Sequence, residues 1–185
     1  MKKKLYVLSL LVMLSSVGCL GRAISEGYYG TTGASGRAKP LQELKVNLAD
    51  YDGFVVEPFS DGMEGRGNIA FLAAAPEKIA EQIVKKTYLS PAGTKVLQIC
   101  GQLIIYDTGT TTDTIAGPME EAVCRVRLID KSSGQVLGSA DCYSRAKSSV
   151  RKGPEELGEG TGKAIADWII QHDSRGARPE EKTKD

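Results

Sequence analysis

The residues of this chain whose types could do chemistry are four cysteines, one histidine, a glycine-rich GEGTGKA stretch and several adjacent acid pairs. Gly158 to Ala164 invites reading as a phosphate-binding loop, in which backbone N–H groups and a lysine cradle the anion. It fails in detail. Such a loop needs a glycine five residues before Gly162, where Leu157 stands, and a serine or threonine after Lys163, where Ala164 stands. The dinucleotide fingerprint needs three glycines at another spacing, directly after a strand. No nucleotide is expected. His172 sits beside Gln171 and Asp173 at the end of a predicted helix, where it serves the last carbonyls. A catalytic pair with Cys100 or Cys142 would rest on a tertiary contact. Glu120-Glu121 and Glu155-Glu156 are neighbours in sequence, which in a strand sends them to opposite faces as solvated charge. Asp61 and Glu64 lack calcium-loop spacing and read as turn residues. No cysteine pair has metal-ligand spacing. No metal or other cofactor is expected, and an enzyme is the least supported class.

Cys19 is a different case. Lys2, Lys3 and Lys4 precede an apolar run from Leu5 to Leu14, then small residues, then a cysteine preceded by Val17 and Gly18. That is a basic region, a hydrophobic region and a processing site, too short to span a bilayer permanently. The stretch resembles the lipobox of bacterial lipoproteins, with Ser16 where the pattern usually has an aliphatic residue. The resemblance implies that the Cys19 sulfur carries a diacylglycerol, that residues 1–18 are removed as a signal peptide, and that the new amino terminus is acylated. The competing reading is an ordinary secretory leader with an incidental cysteine. Each buried methylene of an acyl chain contributes about 0.8 kcal/mol, so more than one chain makes a stable anchor. No later stretch has spanning length, which puts the domain outside the bilayer on a tether.

Removing the leader lowers the 24 basic residues to 21 against 23 acidic, a balance of about −2. This predicts no footprint for nucleic acid and no basic patch for anionic lipid. Residues 19–40, rich in glycine, serine and threonine, read as the lipidated cysteine and a flexible tether. A single domain is expected over 41–172, followed by a charged, disordered tail at 173–185.

Within that domain Phe54-Val55-Val56 reads as a buried first strand, and a helix is predicted from Pro76 to Leu89 with Ile79, Ala80, Ile83, Val84 and Thr87 inward. A long strand follows over Lys95 to Tyr106. It has Leu97, Ile99, Leu103 and Ile105 on one face, and Gly101 marks a bulge or a close backbone approach. Glu121–Asp130 and Gln135–Arg145 form a hairpin around Lys131-Ser132-Ser133-Gly134. If Asp130 faces Val136, then Leu128 faces Gly138, Val126 faces Ala140 and Cys124 faces Cys142. That register gathers Cys124, Val126, Leu128, Val136, Ala140 and Cys142 on one face. Direct neighbours can form a cross-strand disulfide or remain two small buried thiols, and Cys100 is then left over. The last helix runs from Pro154 to about Gln171, its inner stripe Leu157, Thr161, Ala164, Ile165, Trp168 and Ile169. Gly158, Gly160 and Gly162 on it are expected to pack closely against the sheet.

The order βαβββα predicts an α/β (α+β) two-layer sandwich. Its sheet is four-stranded and mixed, the first two strands parallel, with both helices on one face. The Cys19 leader, DYDGFVVEPF, RVRLIDKSSGQVLGSA and the glycine-bearing last helix resemble a group of small bacterial lipoproteins. The element order is also similar to curli-secretion-type lipoproteins and to the amino-terminal domain of the Tol-system translocation protein. The resemblance implies a non-catalytic protein-interaction or assembly module, anchored in the cell envelope by lipid and working on an envelope protein or on its own copies. Leu20 after the cysteine, where aspartate would signal inner-membrane retention, implies the outer membrane facing the periplasm if the cell is Gram-negative. Two alternatives stand beside it: a secretion-channel or transport-accessory subunit, and a periplasmic small-ligand or cell-wall binding protein with a concave apolar pocket.

Overall fold

The computed structural model describes residues 34–108, 120–146 and 153–179. Residues 1–33, with the expected leader and Cys19, and residues 109–119, 147–152 and 180–185 lie outside the described residues. The elements are β1 (Ser35–Gln42), a 3-10 turn (Leu48–Asp50), β2 (Gly53–Val56), β3 (Ser60–Asp61), α1 (Ile69–Lys86), β4 (Val96–Asp107), β5 (Glu120–Asp130), β6 (Val136–Ala146) and α2 (Pro154–Gln171). The sheet order is β1-β6-β5-β4-β2, with β3 also pairing with β4. β2 and β4 are parallel, as a crossover through α1 requires, and β4, β5, β6 and β1 are antiparallel. Both helices lie on one face and against each other, so the two-layer α+β class holds while the sheet has six strands rather than four.

The first added strand is β1, where a tether was expected up to residue 40. It pairs with β6 from Ser35↔Arg145 to Gln42↔Ser139. The sequence hides it because its inward positions are Gly36, Ala38 and Pro40, too small to read as an apolar alternation. α2 explains the choice: a Cβ on Gly36 would run into the carbonyl oxygen of Gly160. Pro40, which has no N–H to give, is tolerated because β1 is an edge strand.

α1 begins seven residues before the expected Pro76. Asn68 caps it, its Oδ1 accepting from the Phe71 N–H at 2.9 Å. Pro76 lies inside the helix, tolerated in a run of strong helix formers. Thr87 ends the helix three residues early, its buried hydroxyl donating to Ile83 O at 2.8 Å and accepting from Leu89 N–H at 3.2 Å. The inward face is Phe71, Ala75, Ile79, Gln82 and Ile83. Val84 points outward, 39 % exposed.

Two bulges correct the predicted strand faces. One between Leu103 and Ile105 keeps Leu97, Ile99 and Leu103 buried but turns Ile105 outward, 48 % exposed, and brings Tyr106 against the core. The other, between Leu128 and Ile129, pairs Val136 with Ile129 instead of Asp130, so Leu137 is buried and Val136 is not. Beyond it Leu128↔Gly138, Val126↔Ala140 and Cys124↔Cys142 pair as expected. Gly101 is a close approach, since a Cβ there would strike the Phe59 ring.

The stripe of α2 is fully buried as expected. Its glycines divide differently. Cβ atoms on Gly158 and Gly162 would meet α1, at 3.3 Å from Ala75 Cα and 2.9 Å from Ile79 Cα, whereas Gly160 alone faces the sheet, against Ser144 and β1. Ser144 Oγ is buried without a hydrogen-bond partner among the described residues. Ser144→Ala removes that orphan and is expected to stabilise the fold by about 1 kcal/mol, read as a higher urea midpoint at unchanged m-value. The ordered chain also outlasts residue 172. Asp173 accepts from Arg175 Nη2 at 2.7 Å, the same nitrogen donates to Tyr51 O at 2.9 Å, and Arg178 N–H donates to Lys86 O at 2.8 Å.

Candidate interaction surface

The face of the sheet that carries no helix is built by alternation. β1 sends Arg37 and Lys39 there, β5 sends Glu121, Val123, Arg125 and Arg127, and β6 sends Asp141, Tyr143 and Arg145. Asp141 accepts from Arg125 Nε at 2.9 Å and from Nη2 at 3.2 Å, and Glu121 accepts from Arg145 Nε at 2.7 Å. These charge-assisted pairs hold the arginines across the strands. Arg37, Lys39 and Arg127 have no ion pair among the described residues. Near-neutral composition predicts no basic patch. The fold nonetheless makes one, because a period of two puts cations that are scattered in sequence on a single face. A half-open groove of about 620 Å³ runs along β1, lined by Ser35 to Pro40, Tyr143 and Arg145.

The residues singled out for chemistry fall elsewhere. GEGTGKA is helical, with Gly158, Gly160 and Gly162 buried, and Lys163 Nζ bonds Ala34 O at 3.2 Å and Glu159 at 2.9 Å. It is no phosphate loop. His172 caps the end of α2, its carbonyl accepting from Leu48 N–H at 2.8 Å and its buried Nδ1 without a partner among the described residues. Glu120 and Glu121 take opposite sides as expected: Glu120 accepts from Gly153 N–H at 2.6 Å and Glu121 holds Arg145. Asp61 closes its own turn, accepting from the N–H groups of Met63, Gly65 and Gly67 at 2.7, 2.8 and 3.2 Å. The Met63 bond first, then the others, hold its carboxyl below the usual range. Asp130 is likewise held well down, by the Ser132 and Tyr51 hydroxyls, at the turn of the hairpin. Among the described residues no three His, Cys, Asp or Glu side chains group to hold a metal ion.

Cys124 and Cys142 face each other across the ladder, both fully buried. Burial pushes the Cys124 thiol up to about 12 and raises Cys142 as well. Burial, then Glu57, raises Cys100 on the open side. None is a reactive thiolate at neutral pH. In the native protein Cys124 and Cys142 are expected to resist iodoacetamide while half-exposed Cys100 labels slowly. Unfolding without reductant then separates the two sequence readings: two further labels by mass spectrometry mean thiols, and none means a bridge.

No protein-family model matches the chain, and no curated protein matches it in sequence. Among solved structures it matches the PelC L103M dodecamer from Paraburkholderia phytofirmans with a TM-score of 0.53 at 17% identity, covering 75% of this chain and 98% of that one. The fold resembles that of PelC. Since nearly the whole PelC chain is matched, the likeness extends over the sandwich rather than a single hairpin. A PelC dodecamer in space group P6 gives 0.47 at 15% identity, covering 74% of this chain and 96% of that one. Sequence reasoning missed Arg37 and Lys39 because they lie in the stretch taken for tether. The signal that was there is the alternation of small and charged residues in Ser35-Gly36-Arg37-Ala38-Lys39-Pro40.

Proposed function

We propose that this chain is a lipid-anchored protein of the bacterial cell envelope that works without catalysis, assembling through protein contacts as an accessory to secretion or transport. The observation that carries the reading is the one-sided sandwich. Two helices cover one face of the sheet, and the other presents paired and unpaired cations, Tyr143 and the exposed Ile105. A half-open groove along an edge strand suits a macromolecular contact better than an enclosed small ligand. PelC, of like fold, is a dodecamer, which supports self-association. In this reading Cys19 and its leader supply the anchor, and Leu20 directs it to the outer membrane if the cell is Gram-negative.

The test is to express the full chain in a Gram-negative host and fractionate wild type beside Cys19→Ala, then to measure mass by light scattering in detergent. Wild type is expected in the membrane fraction with an acylated amino-terminal peptide, and Cys19→Ala in the soluble periplasmic extract, both as closed oligomers. Soluble, unmodified protein in both cases removes the anchor. A monomer in both removes assembly.

A further inference from the structure

Two patches on opposite layers of the sandwich differ in sign. On the sheet side, Arg37 and Lys39 project beside the β1 groove with no ion pair among the described residues. On the helix side, the three carboxylates Glu77, Glu81 and Glu155 outnumber the two ammoniums Lys78 and Lys85. Lys78 Nζ pairs with Glu81 at 3.1 Å, and Glu77 and Glu155 stand near enough to add to its electrostatic environment. That cluster borders a shallow depression on α1 between Glu77, Ala80, Glu81, Val84 and Lys85. Apolar groups match as well: Ile105 projects from the sheet face, and Val84 from the depression.

We infer that the open sheet face of one copy receives the helix face of a second copy, with Arg37 and Lys39 set against Glu77 and Glu81 of α1 and Glu155 of α2. The inference rests on the assembly reading above and says which surfaces meet. The two surfaces lie on opposite faces of one sandwich and differ in sign, so the contact is head-to-tail rather than two-fold. Faces that are nearly opposite close only in rings of many copies, or continue as a filament. Size is adequate. Five strands at about 4.8 Å spacing and an 11-residue β5 rising about 3.3 Å per residue give a face of roughly 20 by 35 Å. That is comparable with the roughly 800 Å² each partner buries in a stable interface. The near-neutral net charge hides the pairing because the two patches cancel in the sum.

Sedimentation velocity on the mature, lipidated protein in detergent tests this with two double variants, Arg37→Glu/Lys39→Glu and Glu77→Lys/Glu155→Lys. All four positions are at the surface, and circular dichroism with a thermal melt checks each fold. Each variant alone is expected to associate at least 100-fold more weakly than wild type. An equimolar mixture is expected to reassemble, because the reversed sheet face of one then meets the reversed helix face of the other. Wild-type oligomers should weaken between 0.05 and 0.5 M NaCl as screening shortens the range of these charges, to about 10 Å at 0.1 M. Variants that oligomerise like wild type overturn the inference and leave the assembly reading standing. Variants that fall apart but do not reassemble on mixing overturn the pairing of these two faces. A monomeric wild type overturns both.

Discussion

Gly36→Ala is expected to strip β1 from the sheet and lower stability by about 3 kcal/mol or more, the upper part of the range for overpacking. The added methyl has nowhere to go. It would strike the Gly160 carbonyl and stand 2.9 Å from the Ala164 nitrogen, and both belong to helix backbone rather than to a side chain that can turn away. Relief would require α2 to lift off the strand. For a domain of this size the loss lowers Tm by about 10 °C. Hydrogen exchange gives the sharper readout: amides of β1 and the outer amides of β6 should lose protection while β4 and β5 keep theirs. Gly101→Ala is the instructive control, because the atoms it meets are the Phe59 ring. Shortening that ring to leucine should recover part of the loss, which no side-chain change can do for Gly36. A Gly36→Ala protein with wild-type stability and an intact β1 would mean that the β1–α2 approach is looser than described.

Trp168→Ala is expected to cost about 3–5 kcal/mol, the range for emptying a large aromatic site in a core. Trp168 heads the fully buried side chains and belongs to the buried stripe of α2 that Leu157, Ile165 and Ile169 share. α2 packs on α1, β1, β5 and β6, which leaves the site little freedom to collapse. Among the described residues the buried indole Nε1–H has no hydrogen-bond partner, which separates volume from polarity. Trp168→Phe removes the orphan donor and only part of the volume, so it should lose much less than the alanine variant. Urea titration of the three proteins checks this: the midpoints should fall in the order wild type, phenylalanine, alanine, with similar slopes. Equal losses for phenylalanine and alanine would mean that the indole is bonded rather than orphaned.

What was legible in the sequence was what short-range pattern encodes. The β5–β6 hairpin is local, its turn chemistry is explicit in Lys131 to Gly134, and its register could be counted outward to Cys124 and Cys142. Only the bulge at Leu128/Ile129 escaped, because one extra residue leaves no compositional mark. The buried stripe of α2 was equally plain at helical spacing. The start of α1 was misplaced by trusting Pro76 as a first-turn residue. Asn68, three positions before Phe71, was the better cap, and the Phe71–Ala75 run before the proline was already helix-forming.

By itself the sequence determined the α+β class, the parallel first crossover and the hairpin register. Each of these depends on residues close together in the chain, where periodicity, capping and turn chemistry act directly. The tertiary structure alone decided that Ser35 to Gln42 is an edge strand, since its inward residues are small only because α2 lies on them. It alone decided which way Ile105 and Val136 face. It also made a cationic sheet face from a chain of almost no net charge, because the pleat sorts side chains by parity and the sheet brings distant strands side by side. The surface proposed for assembly is therefore a property of strand order and register, neither of which composition records.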